Sequence, residues 1–175
     1  METVKLKIIR FSPQMPLNVE NFNCGRPALN EFLQKHLAAQ HRQNVLKAYL
    51  LVTDDPVPEV MGYYTLSGGS YARAAVTRAF QKQAAPYHET VCIIIGRLAV
   101  DQRIAGKGFG TQLVLDALRV AYAAADAVGI YAVMVEAKDD QAAGFYREAM
   151  RFIPLKTEDG KLKFFFPVAS IAPLL

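Results

Sequence analysis

The chain has 175 residues, enough for one domain that buries about two thirds of the surface its unfolded form exposes. Apolar residues make up 52% and charged residues 21%, which excludes a disordered or low-complexity chain, and no run approaches the roughly 18 apolar residues of a membrane span. Lysine and arginine outnumber aspartate and glutamate 20 to 16, a net charge of +4 that is compatible with a polyanionic partner without requiring one.

Charges interrupt the apolar residues of the first eleven positions, which argues against a signal peptide. Residues 5–11 alternate basic and apolar side chains, the pattern of a first strand. A loop is expected over 12–27. Pro27 suits the first position of a helix, and Leu29, Phe32, Leu33 and Leu37 give the helix over 28–43 one apolar face. Lys35 and Arg42, seven apart, fall together on the opposite, exposed face. Residues 47–53 and 60–67 read as the strands of an antiparallel hairpin, joined by a turn over 54–59 that carries two prolines and two aspartates. Residues 68–90 have no strand period. From Tyr71 to His88 they hold Arg73, Arg78 and Lys82 and no acid.

The stretch 92–128 organises the rest. Residues 92–101 are apolar and β-branched, as in a buried strand, and 111–128 place Leu113, Ala117 and Ala121 beside Val114 and Leu118 at helical spacing. Between them lies a basic, glycine-rich turn, Arg103-Ile104-Ala105-Gly106-Lys107-Gly108, leading to Gly110 and Thr111. Glycines let backbone approach closely at positive φ, and the unpaired N–H groups of a first helical turn converge on one spot that favours negative charge. Such a strand–turn–helix is a physical anion site, with Arg103 and Lys107 as cations at its edge; a pyrophosphate is its natural occupant. A P-loop would need Lys-Ser/Thr after the second glycine, where Phe109 stands. A dinucleotide fingerprint would need an acid at the end of a second strand, whereas Asp126 falls within the helix.

Further on, 130–137 is a strand, Asp139 or Asp140 caps a helix over 141–150, 151–155 begins a strand, Asp159-Gly160 turns a hairpin, and 163–168 returns. There is no internal repeat. The order predicts an α+β fold in one domain over 1–175, a mixed sheet around a strand–helix–strand crossover with helices on both faces. Cys24 and Cys92 have no metal-ligand spacing, so no metal is expected, and free thiols suit a reducing cytoplasm.

Arg103-x-x-Gly106-x-Gly108 resembles the pyrophosphate-binding loop of the GCN5-related N-acetyltransferases, the GNAT family, and the preceding Gly96-Arg97-Leu98-Ala99-Val100 resembles that family's fourth strand. The resemblance implies the GNAT fold, a mostly antiparallel sheet splayed at its central parallel strands, with acetyl-CoA as co-substrate. It assigns Leu98, Ala99 and Val100 to the cofactor's pantetheine arm and Arg103, Ala105, Gly106, Lys107, Gly108, Gly110 and Thr111 to its diphosphate. It also implies a catalytic tyrosine in the helix after the fifth strand, where Tyr146 stands. Acetyl transfer needs a neutral amine, hydrogen-bond donors for charge developing on the carbonyl, and a proton for the departing thiolate. A phenol is protonated near neutral pH, so Tyr146 can supply that proton, and a backbone N–H between Leu98 and Val100 can polarise the carbonyl. Glu136, at a strand end, is either a base or a residue held by hydrogen bonds. A dedicated base is dispensable for an α-amine, whose pKa of about 7.7–8.0 leaves part of it neutral near pH 7.5.

Nearly the whole chain is similar to one branch of that family, bacterial toxins that acetylate the amino group of aminoacyl-tRNA and stop translation. The likeness lies in Phe22-Asn23-Cys24-Gly25, Leu29 to Leu33, His41-Arg42, Gly62 to Leu66, Gly96 to Val100, Phe145-Tyr146, Phe152 to Leu155 and Phe165-Phe166-Pro167. Asp139 departs from it, standing where many relatives have an asparagine near the cofactor. The resemblance implies aminoacyl-tRNA as substrate, glycyl-tRNA first, and a ribbon-helix-helix antitoxin as partner. It further implies operator DNA reached only through that antitoxin, and a homodimer, for which the apolar residues 164–175 are a candidate surface. Lys35, Arg42, Arg73, Arg78 and Lys82 are the cations for an RNA backbone, and Arg97 either joins them, lines the active site or pairs with an acid. The alternatives are an acetyltransferase for a small amine or a protein N-terminus, and a non-enzymatic acyl-CoA sensor.

Overall fold

The computed structural model describes residues 5–175. Seven strands hydrogen-bond in the order β1-β2-β3-β4-β5-β7-β6. They are β1 (Leu6–Arg10), β2 (Lys47–Thr53), β3 (Val60–Ala72), β4 (Glu89–Val100), β5 (Ala132–Ala137), β6 (Ile153–Pro154) and β7 (Leu162–Pro167). The chain forms two compact units, and β3, β4 and the long helix run from one into the other.

One unit contains residues 5–67 and Arg97–Asp116. Here β1 pairs antiparallel with β2 from Leu6↔Thr53 to Arg10↔Tyr49, and β2 with β3 as the hairpin expected from the sequence, with an irregularity between Leu51 and Val52. Phe11, Phe22, Phe32, Leu37, Leu50, Val52 and Tyr63 form its core. Pro27 opens the first helix, but that helix is not regular. A helical run α1 (Pro27–Glu31) passes through a π turn over Phe32–His36 into α2 (Leu37–Arg42), and Asn44, at φ 65, ends it in the left-handed conformation common at helix C-termini. Buried His41 explains part of the anchoring. Its Nδ1 accepts from the Ala48 N–H at 3.1 Å while Phe11 packs edge-on at 5.0 Å. Burial, with Lys47 and Arg10 nearby, lowers its pKa and keeps that nitrogen an acceptor.

The other unit contains Gly68–Gly96 and Ala117–Leu175, with a core of Tyr71, Val76, Cys92, Ala132, Met134, Leu155 and Phe165. Residues 68–72, expected to be irregular, continue β3. Gly69 makes this workable, because a Cβ there would collide with the Ile94 side chain. Residues 89–90, also expected to be irregular, begin β4, and between the two strands lie short 3-10 turns over Arg73–Ala75 and Arg78–Gln83. β4 and β5 are parallel, β5 and β7 antiparallel from Ala132↔Pro167 to Ala137↔Leu162. Cys24 and Cys92 are free thiols, and burial pushes the Cys92 thiol up to about 11. Among the described residues no group of His, Cys, Asp or Glu is placed to hold a metal ion, and no helix is long and apolar enough to cross a membrane.

Candidate active site

The glycine-rich turn has the expected form. Buried Ile104 pins it from below, Gly106 and Gly108 adopt φ of 75° and 87°, and a Cβ added at Gly106, Gly108 or Gly110 would meet nothing within 4 Å. The helix α3 (Phe109–Ala125) starts at once, buries Leu113, Val114, Ala117, Leu118 and Ala121 as its spacing predicts, and makes its first bond from the Gln112 N–H to the Gly108 carbonyl at 3.1 Å. The N–H groups of Gly108, Phe109, Gly110 and Thr111 have no acceptor among the described residues. An open strip of backbone donors at a helix N-terminus fits a diphosphate, and Lys107 stands exposed beside it.

Arg103 is engaged by two acids of the fold. Its Nε lies 3.0 Å from Asp101 Oδ1 and its Nη2 3.0 Å from Asp101 Oδ2 and 2.9 Å from Glu59 Oε1. Its backbone N–H also donates to Asp101, at 2.9 Å, so Arg103 braces the turn with the groups that were expected to grip the ligand. Burial alone would raise the Asp101 carboxyl, but the bonds from Arg103 and from the Asn23 N–H, with the guanidinium charge, hold it below the usual range. The same carboxylate ties down the 23–25 loop, accepting from Asn23 N at 3.0 Å. Gly25, at φ 88, lies against Gln102, whose amide nitrogen would sit 2.6 Å from an added Cβ.

The splay expected at the central strands has a counterpart in the register. Parallel pairing runs from Cys92↔Ala132 to Ile95↔Val135 and stops, so Leu98, Ala99 and Val100 lie beyond it. Gly62 lets β3 approach there, since a Cβ would sit 3.0 Å from the Ala99 carbonyl oxygen.

Tyr146 lies in a second π turn, over Phe145–Ala149, that continues the helix α4 (Asp140–Gly144). Phe145, Phe152 and Phe164 surround its ring at 5.2, 5.6 and 6.4 Å, and the residue is 6% exposed. Burial pushes the phenol up to about 12. Tyr63 and Tyr131 donate to carbonyls and Tyr64 to Asp116, whereas the Tyr146 hydroxyl has no partner among the described residues. Tyr71 in the core also lacks one, so it is the combination with a π turn, a local distortion frequent at functional sites, that sets Tyr146 apart.

The acetyltransferase (GNAT) family model matches residues 27–152. The chain belongs to the GNAT acetyltransferase family. It is therefore an acyltransferase, with acetyl-CoA as co-substrate. It is 35% identical over 130 residues to the tRNA-acetylating toxin of Mycobacterium tuberculosis (strain ATCC 25618 / H37Rv), covering 74% of this chain and 75% of that protein. The structure of AtaT complexed with acetyl-methionyl-tRNAfMet superposes with a TM-score of 0.89 at 39% identity, over 97% of this chain and 99% of that one. A Tyr-to-Phe mutant of AtaT bound to the C-terminus of the antitoxin AtaR and acetyl-CoA gives 0.83 at 36% identity, over 97% of each chain.

Within this GNAT chain the predicted cations have distinct settings. Lys35 is exposed and 3.6 Å from Glu31; Arg42 is exposed, with Nε 3.4 Å from the Ala38 carbonyl. The shared face assumed for them rests on regular helical spacing, and the π turn at Phe32–His36 alters that phase. Arg97 pairs with no acid in the described residues but lies 3.6 Å above the Phe32 ring, a cation–π contact. In the other unit Arg73, Arg78 and Lys82 are all exposed. Asp139 caps α4, accepting from the Ala142 N–H at 2.8 Å, as one of the two expected alternatives. Glu136 is half-exposed and 3.8 Å from Lys161. Asp101 and Glu59 were not singled out from the sequence; an aspartate two places before an arginine is a weak sign of a capped turn, and nothing local marks Glu59.

Proposed function

We propose that the chain acetylates the α-amino group of aminoacyl-tRNA and thereby blocks translation. The observation that carries the reading is the open row of N–H groups at Gly108–Thr111, with two positive-φ glycines, in a chain similar over most of its length to tRNA-acetylating toxins. That row, with Gly106, Ala105 and Lys107, holds the diphosphate, and Leu98, Ala99 and Val100 lie along the pantetheine arm. Acetyl-CoA supplies an acetyl group activated as a thioester. A backbone N–H in 98–100 polarises its carbonyl; the neutral α-amine attacks the carbonyl carbon, the C–S bond breaks as the Tyr146 Oη proton passes to the departing sulfur, and the proton shed by the amine nitrogen restores the phenol. Burial holds the phenol protonated across the working pH range, so the proton is in place when the thiolate departs. Arg103 acts indirectly, through Asp101 and Glu59.

Lys35, Arg42, Arg78, Lys82 and Arg97 supply charge for the tRNA backbone. Glycyl-tRNA is the first substrate we propose, since it needs least pocket volume; the methionyl group in the AtaT complex makes methionyl-tRNA its competitor. A ribbon-helix-helix antitoxin is the proposed partner, through which operator DNA would be reached, and a homodimer the proposed assembly. Incubation with labelled acetyl-CoA and a total pool of charged tRNA tests the reading. Label on the aminoacyl end of tRNA is expected; label only on small amines or protein N-termini would overturn it.

A further inference from the structure

Tyr87 is the most exposed large apolar side chain among the described residues, at 77%. Its backbone is nevertheless held. The Arg73 N–H donates to the His88 carbonyl at 2.8 Å, and Arg73 Nη1 to the Pro86 carbonyl at 3.3 Å. One residue thus ties down the backbone at Pro86 and at His88, the neighbours of Tyr87. Arg73 itself starts a short 3-10 turn whose C-cap, Val76, is buried and forms a bridge to Leu155, so the tie is anchored in the core of its unit. The segment from Tyr71 to His88 carries no acid, and its Arg78 and Lys82 are exposed on either side of a kink at Phe80; Glu89 is the first carboxylate after it.

An exposed aromatic ring on a held backbone, in an acid-free segment that carries exposed cations, has a specific complement, an unpaired base whose phosphates meet the cations. We infer that Tyr87 is a stacking platform for an unpaired nucleotide of the RNA substrate, with Arg78 and Lys82 on the adjoining phosphates and Arg73 as the positioning residue that holds the ring out. The inference rests on the tRNA reading above and adds to it a residue that reads single-stranded RNA. A peptide partner is the weaker fit, because an acid-free stretch with Arg73, Arg78 and Lys82 offers charge for phosphates.

The test uses the full chain and two RNA hairpins of the same stem, one with a four-nucleotide single-stranded 3′ end and one blunt, with binding read by fluorescence anisotropy at several salt concentrations. The wild type should bind the tailed hairpin more tightly than the blunt one. Tyr87→Ala should lose about tenfold on the tailed hairpin, the scale of one lost stacking ring, with an unchanged salt slope. Tyr87→Phe should retain wild-type affinity, because the π-face does the work. Arg78→Ala should weaken binding with a salt slope shallower by about 0.7, the mark of one lost phosphate contact. Equal affinity of wild type and Tyr87→Ala for the tailed hairpin would overturn the platform alone. Binding of neither hairpin by the wild type would overturn the tRNA reading itself, and the platform with it. Tyr87→Ala that keeps RNA affinity but loses self-association in sedimentation would place the ring in a protein interface instead.

Discussion

Asp101→Asn removes the charge on which the pyrophosphate turn is built. The carboxylate is 1% exposed and accepts four bonds, two on each oxygen, from Arg103 N and Nε and from Arg103 Nη2 and Asn23 N. An amide in either orientation sets its NH2 against two donors. Hydrogen bonds to a charged group contribute roughly 1.5–3 kcal/mol each, and breaking a buried pair costs about 3–5 kcal/mol. Arg103 is 47% exposed and regains water, which places the loss toward the lower end, at about 3 kcal/mol. For a chain of this size that lowers the melting temperature by about 6–12 °C. Because the 23–25 loop and the turn are released together, KM for acetyl-CoA should rise more than kcat falls. The pH dependence adds an internal control. Asp101 titrates below its ordinary 3.8 when folded, so its stabilisation is complete above that value and is lost as pH falls through the folded one. The gap between wild-type and variant melting curves should close in that acid range. Coincident melting curves at neutral pH, or an unchanged KM, would refute the bracing role.

Other expectations follow from the same structure. Gly108→Ala forces a side chain into φ 87°, a strain of about 1–2 kcal/mol, and should raise KM for acetyl-CoA with little change in the far-ultraviolet spectrum. Reversing Lys35 and Arg42 to glutamate should weaken tRNA acetylation far more than acetyl-CoA binding, measured by calorimetry; equal losses would count against an RNA-facing helix. The rate of acetylation should rise with pH through the pKa of the α-amine, which the adjacent ester lowers below the free value of about 8, level off above it, and show no alkaline fall from the enzyme below about pH 10, because the buried phenol stays protonated to about 12. An alkaline limb near pH 8–9 would assign the proton to another group.

Much of this was legible in the sequence because it is written locally. β-branched runs, the glycine turn, the 113–114–117–118–121 stripe of α3 and the Asp139 cap each depend on residues within one element or one turn. What was not legible depends on distant partners. Glu59 meets Arg103 across 44 residues, so no spacing rule announces that the cation is already engaged. The two π turns each widen a helix, over Phe32–His36 and Phe145–Ala149, and leave no mark in composition. β3 runs on through Gly68 and Gly69, residues that normally signal a turn, because Ile94 fills the space a side chain would take.

The most direct measurement pairs single-turnover acetyl transfer to charged tRNA with calorimetric binding of acetyl-CoA, for wild type and Tyr146→Phe. The expected result is unchanged affinity for acetyl-CoA and loss of most transfer, since the variant keeps the ring packed among Phe145, Phe152 and Phe164 and lacks only the proton. Wild-type transfer by Tyr146→Phe would contradict the mechanism at its centre.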